Sequence, residues 1–264
     1  MTNFVNDVLN GCKDIIGEAD TPACQHLFRI REESDSPLLT DLERERYHSV
    51  SAQLLYLSKR VRPDLLVTVS FLTKRVLNPQ RDDQLKLQRA IMYLRKTREK
   101  GIILEGNKIM SVHSYVDASY GVHNDMKSHS GCVISIGKGP IFAKSNTQKL
   151  NTKSSTESEL VAISDSATQI LWTRNFLEEQ QFIMGPATIY QDNMSTIALI
   201  KNGKSNSDRT RHIGIRYFFI SDRVTSNELF IEYMPTEEML ADVLTKPLQG
   251  MLFKKLSDKL LNWF

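Results

Sequence analysis

Cysteine is scarce in this chain of 264 residues. The three present, Cys12, Cys24 and Cys132, are odd in number and show no metal-ligand spacing. That argues against a disulfide framework and for a reducing intracellular setting, cytoplasmic or nuclear. A long apolar run is missing where a leader would place it. Met1 to Asp20 mixes Asp7, Asp14 and Glu18 among its apolar residues, so neither a signal peptide nor a membrane span is expected there, and no membrane partner. A strong charge of one sign is also lacking, and a net charge of +3 by itself says little about partners.

What is present is enough to build a core. The chain is 41% hydrophobic and 25% charged, ordinary for a soluble globular protein of one large or two small domains. The charge is unevenly placed. Residues 51–110 hold thirteen Lys/Arg against five Asp/Glu, so the remainder is net acidic. Such an asymmetry can suit nucleic acid on one side and metal on the other, although on charge alone a solvated helical face is the favoured reading.

Along the chain, Val5, Val8, Leu9 and Cys12 recur at helical spacing, and residues 1–41 are otherwise weakly patterned. Tyr47, Val50, Leu54 and Leu57 make a stripe that Arg62-Pro63 ends. A second apolar run spans Leu65 to Leu77, and a third helix is expected over Asp82 to Lys96. At Gly101 the period changes. Glu105-Gly106-Asn107 reads as a hairpin turn between Ile102–Leu104 and Ile109–Met110. Ser111 to Val116, Gly131 to Ile136 and Ile141 to Ala143 read as an antiparallel meander. A long helix follows over Thr156 to Gln180, with Leu160, Ile163, Ala167, Ile170, Leu171 and Leu177 as its stripe. Then come a strand at Ala187 to Gln191, helices at Met194–Lys201 and Ile213–Val224, a strand at Leu229–Tyr233 and a helix capped by Thr236 that runs to Leu244. Divisions are expected at 1–41, 42–110 (helical), 111–250 (α/β) and 251–264, an amphipathic tail that docks on the domain or on a partner.

Four carboxylates stand at strand or helix ends: Asp117, Glu159, Asp192 and Asp242. Each has a plain structural explanation. Asp117 precedes a turn. Asp192 precedes a helix, where Asp is a favoured N-cap. Asp242 reads as an exposed helix residue. Glu157 and Glu159 compete: either closes a capping box, with Ser154 or Thr156 as the N-cap. Glu159 is favoured as functional because it flanks the buried stripe. Only convergence would make the four a metal site.

Six motifs in order carry a resemblance. They are Ser-Tyr-Val-Asp-Ala-Ser (114–119), Lys-Ser-His-Ser-Gly (127–131), Ser-Ser-Thr-Glu-Ser-Glu-Leu (154–160), Gln-Asp-Asn (191–193), Arg-His-Ile-Gly-Ile-Arg-Tyr (211–217) and Pro-Thr-Glu-Glu-Met-Leu-Ala-Asp-Val-Leu-Thr-Lys-Pro-Leu (235–248). Residues 111–250 thereby resemble the ribonuclease H domain of Copia-type retrotransposon reverse transcriptases. Residues 42–100 look like the helical thumb and connection that precede it.

The resemblance implies an α/β fold: a ribonuclease H-like mixed five-stranded sheet flanked by helices, after a small helical thumb/connection unit. It implies the catalytic and metal-ligating set Asp117, Glu159, Asp192 and Asp242, two magnesium ions (or manganese), and hydrolysis of the RNA strand of an RNA–DNA hybrid. Asn151, Ser154, Ser155 and Asn193 are then candidates for contact with 2′-hydroxyls. Lys149, Lys204, Arg209 and Arg211 are candidates for phosphate contact, and His212 for a helper or substrate contact. The missing polymerase portion of the polyprotein is an implied partner. Departures from the pattern are the absent polymerase palm, the absent histidine loop before the last helix, and the missing basic protrusion. Two rivals remain: a non-catalytic remnant that binds nucleic acid or a protein, and an integrase or transposase of the same fold. The latter ends its set on a glutamate, whereas this chain has Leu-Ala-Asp-Val-Leu.

Overall fold

The computed structural model describes residues 1–106, 110–202 and 214–263. Its contacts divide the chain into two units, Met1–Ile102 with Lys246–Phe264, and Ile103–Thr245. The sequence placed divisions at 110/111 and 250/251. The observed ones fall at 102/103 and 245/246, and the C-terminal segment groups with the first hundred residues.

The first unit is helical: α1 (Thr2–Gly11), α2 (Asp41–Arg60), α3 (Leu66–Lys74), α4 (Arg81–Lys96) and α9 (Gly250–Leu261), with a 3-10 turn at Pro63–Leu65. Thr40 starts α2 with a capping box, accepting from the Glu43 backbone while the Glu43 carboxylate takes the Thr40 N–H. Tyr47, Val50, Leu54 and Leu57 are all buried, as their spacing predicts. Beyond α2, the fully buried pair Arg62–Asp64 (2.8 Å) is completed by Tyr93 Oη on Asp64 (2.7 Å) and by the Thr97 carbonyl under Arg62 (2.9 Å). Such a network fixes geometry more than it adds stability. The C-terminal segment forms α9, which buries Phe253, Leu256, Leu260 and Leu261 and sets Phe253 edge-on to Tyr93 at 5.6 Å.

The second unit holds β1 (Glu105–Gly106), β2 (His113–Ser119), β3 (His129–Ser135), β4 (Gly137–Lys138), β5 (Phe142–Thr147), β6 (Ala187–Gln191) and β7 (Leu229–Tyr233). Its helices are α5 (Ser155–Glu179), α6 (Met194–Asn202), α7 (Gly214–Thr225) and α8 (Asp242–Thr245). The main sheet has the order β5-β3-β2-β6-β7. β2, β3 and β5 pair antiparallel, whereas β6 lies parallel to β2 and β7 parallel to β6. This is the ribonuclease H-like mixed sheet. Every residue of the expected α5 stripe is buried, in one core with Val116, Ile134, Ile189 and Ile231. Each such Leu or Ile contributes roughly 1.5–3 kcal/mol over its exposed state.

Two local expectations are corrected. Glu105-Gly106 is no hairpin turn: it pairs antiparallel with Gly137–Lys138, and residues 107–109 lie outside the described ones. The helix expected from Thr236 to Leu244 is broken. A 3-10 turn covers Thr236–Glu238, Met239 is extended (φ −72°, ψ 99°), and α8 begins only at Asp242. The extended Met239 interrupts the helical backbone, and the connection it forms buries Met239, Leu240 and Ala241 ahead of α8. Pro247 then disfavours helix at Lys246, and α8 ends at Thr245.

Candidate metal and active site

β2 and β6 run parallel side by side, with Tyr115 opposite Tyr190. Asp117 lies within β2, two residues before its end, and Asp192 directly follows β6. The carboxyl ends of the strands are where open α/β sheets usually hold their ligands. α8 brings the third acid, Asp242, as its first residue. Carboxylate oxygens of Asp117, Asp192 and Asp242 all lie within 4.8 Å of one another.

Asp117 and Asp242 are each 1% exposed, so Asp242 is not the exposed helix residue its sequence context suggested. The close approach of α8 depends on Gly131, which pairs with Asp117 across β2 and β3. A Cβ at Gly131 would stand 2.7 Å from Thr245 Cγ2 and 2.9 Å from the Ala241 carbonyl oxygen.

Two of the acids are oriented by a neighbouring threonine. The Thr245 hydroxyl donates to Asp117 Oδ2. Thr236 Oγ1 donates to Asp192 Oδ2 at 2.8 Å. Asp192 is not the N-cap of α6. Asn193 takes that place, its Oδ1 accepting from Thr196 N at 3.0 Å, which leaves the Asp192 carboxylate to the acidic cluster.

Glu159 stands outside the set of three whose oxygens are mutually within 4.8 Å. It is 4% exposed, and its Oε2 accepts from Gln191 Nε2 at 3.1 Å. Gln191 is the residue before Asp192, so its amide ties Glu159 to β6, the strand that runs into Asp192. The competition between the two glutamates is resolved by the cap: Ser154 accepts from Glu157 N (3.2 Å), and Glu157 accepts from Lys153 N (2.7 Å). Glu157 therefore serves the helix start, and Glu159 turns to Gln191.

The remaining candidates divide. Lys149, Asn151 and Ser155 are exposed, with Asn151 Nδ2 donating to the Asp125 carbonyl at 3.3 Å. Ser154 and Asn193 are engaged as helix caps. Lys204, Arg209, Arg211 and His212 lie outside the described residues. Sequence reasoning gave no site role to Gln191, Thr245 or Gly131, and it gave Thr236 only a helix cap; Pro235 holds the cap position instead, and the Thr236 hydroxyl goes to Asp192. Gln191 and Thr245 are both fully buried, and Gln191 carried one usable signal, a polar residue directly before an acid.

Three carboxylates this close repel unless a cation lies among them. Their hard oxygen donors fit a divalent ion such as magnesium, which needs few protein ligands because it keeps several waters. Among the described helices none is long and apolar enough to cross a membrane.

No protein-family model matches the chain. It is 33% identical over 216 residues to the retrovirus-related Pol polyprotein from transposon RE2 of Arabidopsis thaliana, a match covering 81% of this chain and 15% of that protein. It is 31% identical over 214 residues to the transposon Ty1-JR1 Gag-Pol polyprotein of Saccharomyces cerevisiae, covering 78% of this chain and 12% of that one. The chain thus spans well under a fifth of the length of these relatives. Among solved structures, LC11-RNase H1 in complex with RNA/DNA hybrid superposes with a TM-score of 0.39 at 13% identity, over 51% of this chain and 94% of that one. The foamy viral protease-reverse transcriptase in complex with RNA/DNA hybrid gives 0.44 at 11% identity, over 75% and 27%. By its sequence, this chain with a ribonuclease H-like sheet is a homologue of the Pol polyproteins of Copia/Ty1-type retrotransposons.

Proposed function

We propose that the chain is a metal-dependent endonuclease of ribonuclease H type, which hydrolyses the RNA strand of RNA–DNA hybrids. The observation that carries this reading is the gathering of Asp117 on β2, Asp192 just past β6 and Asp242 at the start of α8 within 4.8 Å. Glu159 is the fourth acid, held by Gln191. Magnesium or manganese, as two ions, would be held by these acids and would supply an activated water and charge neutralisation at the leaving oxygen.

The residues of the chain do the positioning. Thr245 fixes the Asp117 carboxylate, Thr236 orients that of Asp192, and Gln191 keeps Glu159 turned inward. Lys149, Asn151 and Ser155, exposed near the start of α5, serve the nucleic-acid backbone and its 2′-hydroxyls in this account. The rest of the polyprotein, including its polymerase portion, is the proposed partner.

The test is cleavage of a labelled RNA–DNA hybrid, an RNA duplex and a DNA duplex with magnesium and with manganese. Hybrid-only cleavage, lost in Asp192→Asn, supports the reading. Binding without cleavage under both ions would instead identify a non-catalytic binding module.

A further inference from the structure

We propose that the helical unit carries a second site, an anion pocket for a nucleic-acid phosphate built by Arg29, Arg31, Lys86 and Arg89. A cavity of about 280 Å³ lies between the segment around residues 24–31 and α4. Its walls hold these four cations and one acid, Asp82. That acid is saturated: Oδ1 takes Arg31 Nε at 3.0 Å and Oδ2 takes Lys86 Nζ at 2.8 Å. Three positive charges are left over.

Lys86 is engaged by Asp82, by the Arg29 carbonyl and over the Phe71 ring, whereas Arg29 and Arg89 keep donors unspent. Arg89 gives Nη2 to Thr21 Oγ1 at 2.9 Å, but its Nε is buried with no hydrogen-bond partner in the protein. A buried guanidinium N–H is costly to leave without an acceptor. Arg29 is exposed and has no ion pair among the described residues, while its carbonyl anchors Lys86 Nζ at 2.6 Å.

The chemistry selects phosphate. Planar guanidinium forks match the oxygens of a phosphate, and a cluster of several favours an anion with more than one acceptor oxygen. Lys86 and Arg89 also belong to the basic surplus of residues 51–110, so the pocket gives part of that surplus a location. A backbone phosphodiester and free phosphate share this chemistry. The choice of the backbone rests on the nuclease reading; the pocket's preference for an anion does not.

The experiment uses the full chain in EDTA, so that no metal bridges phosphate to the acids and nothing is cleaved. Fluorescence anisotropy follows a labelled RNA–DNA hybrid across a salt series for wild type, Arg29→Ala and Arg89→Ala. Circular dichroism checks folding, and the exposed Arg29 keeps the test valid if the Arg89 variant misfolds. Each lost phosphate contact lowers the slope of log K against log salt by about 0.9. The expected result is that drop, with weaker binding, in each folded variant. Unchanged affinity and slope would overturn the proposal. Inorganic phosphate is titrated in parallel by thermal shift. Arg29-dependent phosphate binding with unchanged hybrid binding would overturn the backbone assignment. With magnesium restored, Arg29→Ala should raise KM and leave kcat. A wild type that binds through the pocket yet never cleaves would sink the nuclease reading and leave this one standing.

Discussion

Gln191 donates its side-chain amide to Glu159 at 3.1 Å and accepts the Asn193 backbone N–H on its Oε1 at 2.9 Å. One buried side chain thereby holds an acid of α5 and shapes the turn that aims Asp192. Replacing it with Ala leaves a buried carboxylate short of a donor, at a cost of about 1–3 kcal/mol. Urea unfolding of Gln191→Ala in EDTA should show that loss. An unfolding midpoint equal to that of the wild type would mean the amide does not support Glu159.

Thr245 plays the same part for Asp117. Thr245→Val keeps shape and loses the hydroxyl; Thr245→Ser keeps the hydroxyl. Removing a partner that orients a metal ligand lowers metal affinity or activity by roughly 10–100-fold. Magnesium titration of hybrid cleavage should show the deficit in the Val variant and recovery in the Ser variant. Equal deficits in both would point to packing instead.

Gly131→Ala places a methyl 2.9 Å from the Ala241 carbonyl and from Leu244 Cβ, neither of them a flexible side-chain end. Overpacking of this kind costs about 1–3 kcal/mol. Thermal unfolding should fall, and the Asp117–Thr245 contact should be lost as α8 is pushed away. An unchanged melting temperature would show that α8 is loosely seated.

His113 supplies a pH dependence. Burial holds its imidazole below the ordinary histidine range, against the opposing pull of Glu232. The folded state therefore binds fewer protons than the unfolded one as pH falls through the unfolded value of 6.5 toward the folded one. Stability from this group is present above 6.5 and declines below it. His113→Gln should flatten that part of the stability–pH curve in chemical unfolding, and an unaltered curve would contradict the assignment.

Much of the α/β unit was legible because its periods are strong. The α5 stripe, the β6 strand at Ala187–Gln191 and the β7 strand at Leu229–Tyr233 stand where alternation and turns place them. The four acids, by contrast, were each ambiguous, since a carboxylate at a cap and one at a metal site have the same local sequence. Asp192 and Asn193 show the difficulty: both are good caps, and only the fold decides that Asn193 takes the role. The break at Met239 leaves no mark in the sequence, since residues 237–244 hold no Gly or Pro and read as a continuous helix. The pairing of Glu105-Gly106 with Gly137–Lys138 joins segments some thirty residues apart, beyond any local turn rule.

In the proposed function Asp117, Asp192 and Asp242 form one cation site that serves hydrolysis. The most direct measurement is magnesium-dependent cleavage of a labelled RNA–DNA hybrid by the wild type and by Asp192→Asn, with thermal shift on the same samples. The account predicts that magnesium stabilises the wild type, by about 2.7 kcal/mol at a hundred times its Kd, and supports cleavage of the hybrid alone. Asp192→Asn should lose both effects while staying folded. Full cleavage by that variant would contradict the account.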